Sequence, residues 1–218
     1  MSGTKELLLA AAERLFAERG FAGVGIREIA RAAGANTAAV NYHFESKLNL
    51  WLEILRRRTA PIDGERFRRL DAARSQAQQM GQRLCVKALT DALICPLIDE
   101  LVDADGAPDT FRIRLMVRLH VETPMLFRED HLEFFADARE RFAEAMEECF
   151  PGRPVKEIYA RLFYLSSAMV GLLVHAETLV VAKSFFADES FRAVLDACVA
   201  RSAAAVEGAV FTEGSLAV

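Results

Sequence analysis

Over residues 26–43 the sequence sets two short apolar-periodic runs on either side of a glycine and an asparagine, a pattern few folds accept. Ile26, Ile29, Ala30 and Ala33 recur at helical spacing, Gly34 suits a left-handed helix end, and Asn36 is a strong N-cap for a second helix over residues 37–43. Two short helices joined by a glycine-containing turn form a helix-turn-helix, the geometry that presents a second helix to the major groove of DNA. The residues of that second helix suit the task. Thr37, Ala38 and Ala39 give it a small, uncharged leading edge. Asn41 carries both a donor and an acceptor, the pair that reads adenine bidentately. Tyr42 and His43 can donate to phosphate oxygens, which positions a protein without specifying sequence. Lys47, near the start of the following helix, can clamp another phosphate, and Arg27 completes the set as a phosphate or base contact.

The flanking sequence extends the helical reading. Leu8, Ala12, Leu15 and Phe16 define one face of a helix over residues 4–19, which Gly20 ends. Ser46 caps a helix with Leu48, Trp51, Leu52 and Leu55 inward, and Arg56, Arg57 and Arg58 are suitable cations for its C-terminus. Pro61 and Gly64 then predict a break, so the division falls into residues 1–58 and residues 59–218. The second part predicts a polar helix over 65–79, one over 82–102 kinked at Pro96, a loop over 103–108, and helices near 109–122, 131–149, 155–183 and 188–208. Nothing reads as a convincing strand, and the expected class is all-α.

Charge and composition narrow the function. The net charge of −4 hides an asymmetry: residues 1–58 hold nine Lys/Arg against six Asp/Glu, the rest of the chain eighteen against twenty-five. A slightly basic head on an acidic body suits a DNA reader attached to a larger domain with another task. Cys85, Cys95, Cys149 and Cys198 lack paired spacing and read as buried free thiols in a reducing cytoplasm. The longest apolar stretch, residues 162–174, falls short of the about 20 residues a bilayer needs, so no membrane partner is expected. A Gly-framed nucleophile, a phosphate loop and a cofactor fingerprint are all missing from the sequence, so neither an enzyme nor a cofactor is expected. His120, His131 and His175 have no partners at metal-ligand spacing, and no metal is expected either.

The ordered set Ala11-Ala12-Glu13-Arg14-Leu15-Phe16-Ala17-Glu18-Arg19-Gly20-Phe21, Ile26-Arg27-Glu28-Ile29-Ala30, Ala33-Gly34, Tyr42-His43-Phe44 and Ser46-Lys47 resembles the DNA-binding domain of the TetR family of bacterial regulators. The resemblance covers residues 11–55. It implies a three-helix helix-turn-helix domain joined by a linking helix to a C-terminal helical ligand-binding and dimerisation domain. It also implies groove contacts from Arg27 and from Thr37, Ala38, Ala39 and Asn41, beside phosphate contacts from Tyr42, His43 and Lys47. Two positions depart from the family pattern. Gly25 stands where Ser or Thr usually caps the second helix, so a hydroxyl that reaches phosphate is lost, and Asn41 stands where many members have tyrosine.

For the body, the residues leave two readings open. Phe111, Met116, Met125, Phe127, Phe134 and Phe135, with Arg114, Arg118 and His120, are the candidates to line an apolar effector site with a few polar groups, while aromatics and methionines at helical spacing are more often plain core. Residues 155–182 are apolar nearly all round, which calls for burial on more than one side, and the small-residue line Ser167, Gly171 and His175 would let a second helix approach. The resemblance implies that the last two helices of each subunit form a four-helix dimer interface, with Leu172, Leu195, Val199 and Ala203 contributing. The expected partners are a palindromic double-stranded DNA operator, a second copy of the chain and a small-molecule effector. Asn-Tyr-His-Phe, followed by Arg57-Arg58, Ala60-Pro61-Ile62, Glu65-Arg66 and Leu70-Asp71, is similar to the subgroup that contains the fatty-acid-responsive repressor PsrA, which implies a fatty acid or acyl derivative as effector. The alternative is a helical small-molecule binder or enzyme whose DNA-binding head is vestigial.

Overall fold

The computed structural model describes residues 3–126, 135–181 and 190–209. Among them the regular elements are nine helices: α1 Thr4–Arg19, α2 Ile26–Ala32, α3 Thr37–Phe44, α4 Lys47–Gln79, α5 Val86–Glu100, α6 Thr110–Leu126, α7 Ala136–Cys149, α8 Val155–Val181 and α9 Phe191–Gly208. The expected all-α class holds.

The largest departure from the sequence reading is α4. It runs on through Pro61 and Gly64 for 33 residues where a break was expected at Arg58. An interior proline costs ~3 kcal/mol. Ile62 and Leu70 are both buried on the continuing stripe, and burying two such side chains contributes ~3–6 kcal/mol, so continuation wins. Arg57 and Arg58 are therefore not terminal cations but ion-pair partners along the helix. Arg57 pairs with Glu6 at 2.7 Å and with Glu53 at 3.2 Å, Arg58 pairs with Glu13, and Lys5 meets Glu53 at 3.3 Å, lacing α1 to α4.

The chain divides into two compact units: Met1–Pro61 with Asp109–Arg128, and Ile62–Pro108 with Glu129–Val218. The first is not the contiguous head that a cut after residue 58 describes, because α6 packs against α1. Its core joins Leu8, Ala12 and Phe16 of α1, Ile29, Val40, Phe44, and Leu50, Trp51, Ile54 and Leu55 of α4 with Ile113, Met116 and Leu119 of α6. The Trp51 ring stands edge-on to Phe16 at 5.0 Å and to Phe21 at 5.5 Å. Its indole N–H donates to Thr123 Oγ1 at 3.0 Å, so the polar end of this buried ring is satisfied by α6.

In the second unit α9 packs on α5 and α8, and α7 on α5 and α8. Buried residues include Leu89, Leu93 and Leu97 of α5, Phe142 and Met146 of α7, Leu165, Met169 and Leu173 of α8, and Leu195, Val199, Ala203 and Val206 of α9. By length and composition Val155–Val180 would suffice to cross a membrane. One side of it nevertheless belongs to the protein core, where buried Arg161 pairs with Glu157 at 2.7 Å and donates to the carbonyls of Val206 and Ala209, tying α8 to the end of α9. The thiols correct the expectation of uniform burial: Cys85 is exposed just before α5, and Cys95, Cys149 and Cys198 are half-buried.

Candidate nucleic-acid interface

Helix α2 ends in a two-bond terminator. The Ala35 N–H donates to Ala30 O at 2.9 Å and the Gly34 N–H to Arg31 O at 3.1 Å, with Gly34 at φ +65°, the left-handed conformation that a Schellman end requires. Asn36 follows in extended conformation, and its Oδ1 accepts from the Ala39 N–H at 2.8 Å, which starts α3. Val40 and Phe44 bury one side of α3, so its other side carries Thr37, Ala38, Asn41 and Tyr42 into solvent, while Ala39 and His43 are half-buried. Tyr42 keeps 84% of its surface exposed, with His43 edge-on to it at 5.0 Å. The hydroxyl of so exposed a tyrosine can donate outward.

The junction after α3 is two residues, Glu45 and Ser46. Glu45 holds φ +65°, ψ −42°, and the Ser46 N–H closes back on Phe44 O at 2.7 Å, a γ-turn of the strained, positive-φ kind. Ser46 then caps α4 by accepting from the Asn49 N–H at 3.0 Å. Strain of this size, ~1–3 kcal/mol, persists only where packing on both sides fixes it, here Phe44 before the turn and Leu50 after it.

Lys47 differs from its expected role as a free phosphate clamp. Its ammonium donates to Phe21 O at 2.9 Å and Val24 O at 3.0 Å and lies 4.1 Å from the Phe21 ring centroid. Two of its three N–H bonds are thus committed to the α1–α2 loop. The same loop is held from the other side by Glu122 of α6, whose carboxylate accepts from the Phe21 N–H at 2.7 Å. Gly20 makes that approach possible: φ +69°, ψ 179° is a region open essentially to glycine alone, and a Cβ there would lie 3.1 Å from Glu122 Cδ and overlap its nearer oxygen. Gly25 precedes α2 in extended conformation with open space where a side chain would stand, and Arg27, two residues on, is exposed. Sequence reasoning missed the α6 contribution altogether, since Glu122 and Thr123 lie 101 and 72 residues from the loop and the ring they support.

Residues 8–54 match the bacterial regulatory proteins of the tetR family, and residues 91–205, more than half of the chain, match the tetracyclin repressor-like C-terminal domain. The chain belongs to the TetR family. Curated relatives match over shorter stretches. The HTH-type transcriptional repressor BepR of Brucella suis is 41% identical over 58 residues, 27% of this chain and 28% of BepR. The HTH-type transcriptional regulator YttP of Bacillus subtilis is 41% identical over 44 residues, 20% of this chain and 21% of YttP. The aligned region thus spans less than a third of either relative. Whole-chain likeness comes from solved structures. The fatty acid degradation regulator FadR from Bacillus halodurans aligns with TM-score 0.58 at 16% identity, over 96% of this chain and 97% of that one. A transcriptional regulator from Streptomyces coelicolor aligns with TM-score 0.54 at 20% identity, over 94% and 97%. At such identities the likeness establishes the TetR fold.

The other expected site residues of this TetR-family chain are dispersed. Met116 is buried in the first unit, Phe111 and Arg114 are exposed, Arg118 pairs with Glu122 at 3.0 Å, and His120 Nδ1 lies 2.9 Å from Met116 O. These α6 residues therefore sit in the first unit with the helix-turn-helix, not in the second unit. Phe135 is half-buried ahead of α7, while Phe127, Phe134 and the side chain of Met125 lie outside the described residues. Leu195, Val199 and Ala203 are spent inside their own chain against α5 and α8, a correction to their expected place in a dimer interface. The outward side of α8 holds the expected Ser167 and His175 with half-buried Gly171, joined by Tyr159, Phe163, Tyr164 and Val174; Leu172 is half-buried beside them. On α9 the exposed residues include Ala193, Ala200 and Ala204, with the charged Asp196, Arg201 and Glu207 among them.

Proposed function

We propose that this protein is a cytoplasmic, ligand-responsive transcriptional repressor that binds a palindromic operator as a homodimer and leaves it when a small apolar or amphipathic effector binds the second unit. The observation that carries the reading is the outward side of α3, where Thr37, Ala38, Asn41 and Tyr42 are exposed on a helix whose start, end and inner side are all fixed by the chain. Thr37, Ala38 and Asn41 read base edges, with Arg27 at the flank; Tyr42 and His43 hold phosphates, and the third Lys47 N–H and the Gly25 backbone approach the same strand. Twofold symmetry supplies the second half-site one helical turn away. The outward side of α8 supplies the dimer contact: Phe163 keeps 75% of its surface exposed, and an apolar side this long on a soluble chain calls for a partner.

Effector response requires differential affinity between two states of the dimer. The chain leaves the second unit for α6 and returns to it afterwards, and α6 touches the α1–α2 loop through Glu122 and Trp51 through Thr123, so a shift of α6 changes how α3 is held. Binding of the purified protein to its own upstream region, measured at low salt, tests the reading. A specific complex that Tyr42→Ala and Asn41→Ala each weaken by tenfold or more, with circular dichroism unchanged, supports it; equal affinity for unrelated DNA refutes it.

A further inference from the structure

The second unit also buries a cation on α4. Arg66 of α4 is 5% exposed, and its guanidinium is fixed at three nitrogens: Nε donates to Leu93 O at 2.8 Å, Nη1 to Asp63 Oδ1 at 2.8 Å, and Nη2 to the Met169 thioether at 3.0 Å. The helices that carry two of these partners are apolar on either side of them. Leu93 and Met169 each have buried leucines one turn before and after them, Leu89 and Leu97 on α5, Leu165 and Leu173 on α8. Burial pushes the Arg66 guanidinium below its ordinary range, opposed by Asp63, as for a cation short of counter-charge. A guanidinium carries five N–H donors, and sulfur is a weak acceptor for any of them. Two of the nitrogens are held by firm oxygen acceptors, so the third is aimed rather than loose. The group it is aimed at, a methionine, is the side chain that most easily turns aside.

Resting on the repressor reading above, we propose that Arg66 is the anion anchor of the effector site and that the effector is an amphipathic monocarboxylate, its headgroup on Arg66 and its apolar part among the α4, α5 and α8 side chains. The carboxylate takes the place of the Met169 sulfur on Nη2 and competes with Asp63 for Nη1. Asp63 can yield, because 23% of its side chain is already in solvent against 6% for Arg66. One guanidinium exchanging one carboxylate for another keeps the buried charge balanced, which a phosphate dianion would not. Planar, bidentate recognition of a carboxylate is also what distinguishes arginine from lysine at such a place.

The test uses the full-length protein with straight-chain carboxylates from hexanoate to hexadecanoate, and with benzoate. The matched alcohols and alkyltrimethylammonium ions serve as controls. Thermal shift and titration calorimetry read binding, and fluorescence anisotropy reads release from DNA. At least one carboxylate is expected to raise Tm and release DNA where its alcohol and its cation do neither. Arg66→Met, nearly isosteric and neutral, should lower the carboxylate affinity about 100-fold. Asp63→Asn leaves the arginine in place and removes its competitor, so affinity should rise severalfold; a purely structural Arg66–Asp63 pair predicts no gain. The proposal is overturned if no carboxylate shifts Tm, if the alcohols bind equally well, if Arg66→Met binds within twofold of wild type, or if Asp63→Asn gains nothing. A protein that binds carboxylates through Arg66 but binds no DNA would sink the repressor reading and leave the anchor standing. DNA binding that no carboxylate affects would do the reverse.

Discussion

Replacing Gly20 by alanine tests whether α6 belongs to the DNA-reading unit. The backbone at φ +69°, ψ 179° costs a non-glycine residue ~1–3 kcal/mol. The new Cβ also displaces the Glu122 carboxylate, which gives up its 2.7 Å bond to the Phe21 N–H, a charged hydrogen bond of ~1.5–3 kcal/mol. The expected loss is ~3–5 kcal/mol, a large part of the ~5–15 kcal/mol that holds a typical domain folded. Trp51 is the only tryptophan and lies in this unit, so urea unfolding followed by its fluorescence at fixed protein concentration reads the loss locally. Glu122→Ala separates the two contributions. In that background the clash is gone, and Gly20→Ala should cost only the backbone amount, leaving a coupling of ~1.5–3 kcal/mol in the double-mutant cycle. A Gly20→Ala protein within ~0.5 kcal/mol of wild type, or a coupling of zero, would refute the packing of α6 described above.

Other perturbations bear on separate parts of the account. Glu45→Gly should relieve the γ-turn and stabilise the protein by ~1 kcal/mol or more in urea titrations; a loss of stability would mean the turn is not strained. Phe163→Glu places a charge twice in a twofold interface and should shift sedimentation from dimer to monomer at micromolar concentration, whereas an unchanged dimer would put the interface elsewhere. Hydrogen bonds from Arg68 and Arg69 hold the Glu65 carboxyl at about 2, below its ordinary 4.5. A depressed carboxylate stabilises the fold above its unfolded value and loses that contribution as pH falls from 4.5 towards 2. The Tm difference between wild type and Glu65→Gln should therefore be constant above pH 5 and close as the pH approaches 2, and a difference that persists there would count against the pairing.

The head was legible in the sequence because its instructions are local. Gly20, Gly34 and Asn36 act within four residues of where they stand, and each ends or starts the helix its type predicts. What escaped was decided at a distance. Pro61 reads as a breaker until the buried stripe through Ile62 and Leu70 is seen to outweigh it. Lys47 reads as a phosphate clamp because its carbonyl partners, Phe21 and Val24, belong to a loop more than twenty residues earlier. Helical spacing identified α8 and α9 as apolar, but spacing does not say which side meets the chain's own core. Leu195 and Val199 went inward, and the interface candidates passed to Phe163, Tyr159 and the outward alanines of α9. Arg66 drew no notice beyond the motif it stood in, since an arginine in a polar-looking segment gives no sign that it will be buried.

Equilibrium binding of the wild-type protein and its Asn41→Ala and Tyr42→Ala variants to a palindromic fragment from its own upstream region, across a salt series, tests the central claim most directly. Removing Tyr42 should weaken binding about equally on every sequence and reduce the salt dependence if its phosphate is bridged by a cation. Removing Asn41 should cost ~1–3 kcal/mol per half-site, leave the salt slope unchanged and relax the preference at one base pair. Wild-type binding that shows no sequence preference, or variants indistinguishable from it, would contradict the assignment of α3 as the reading helix.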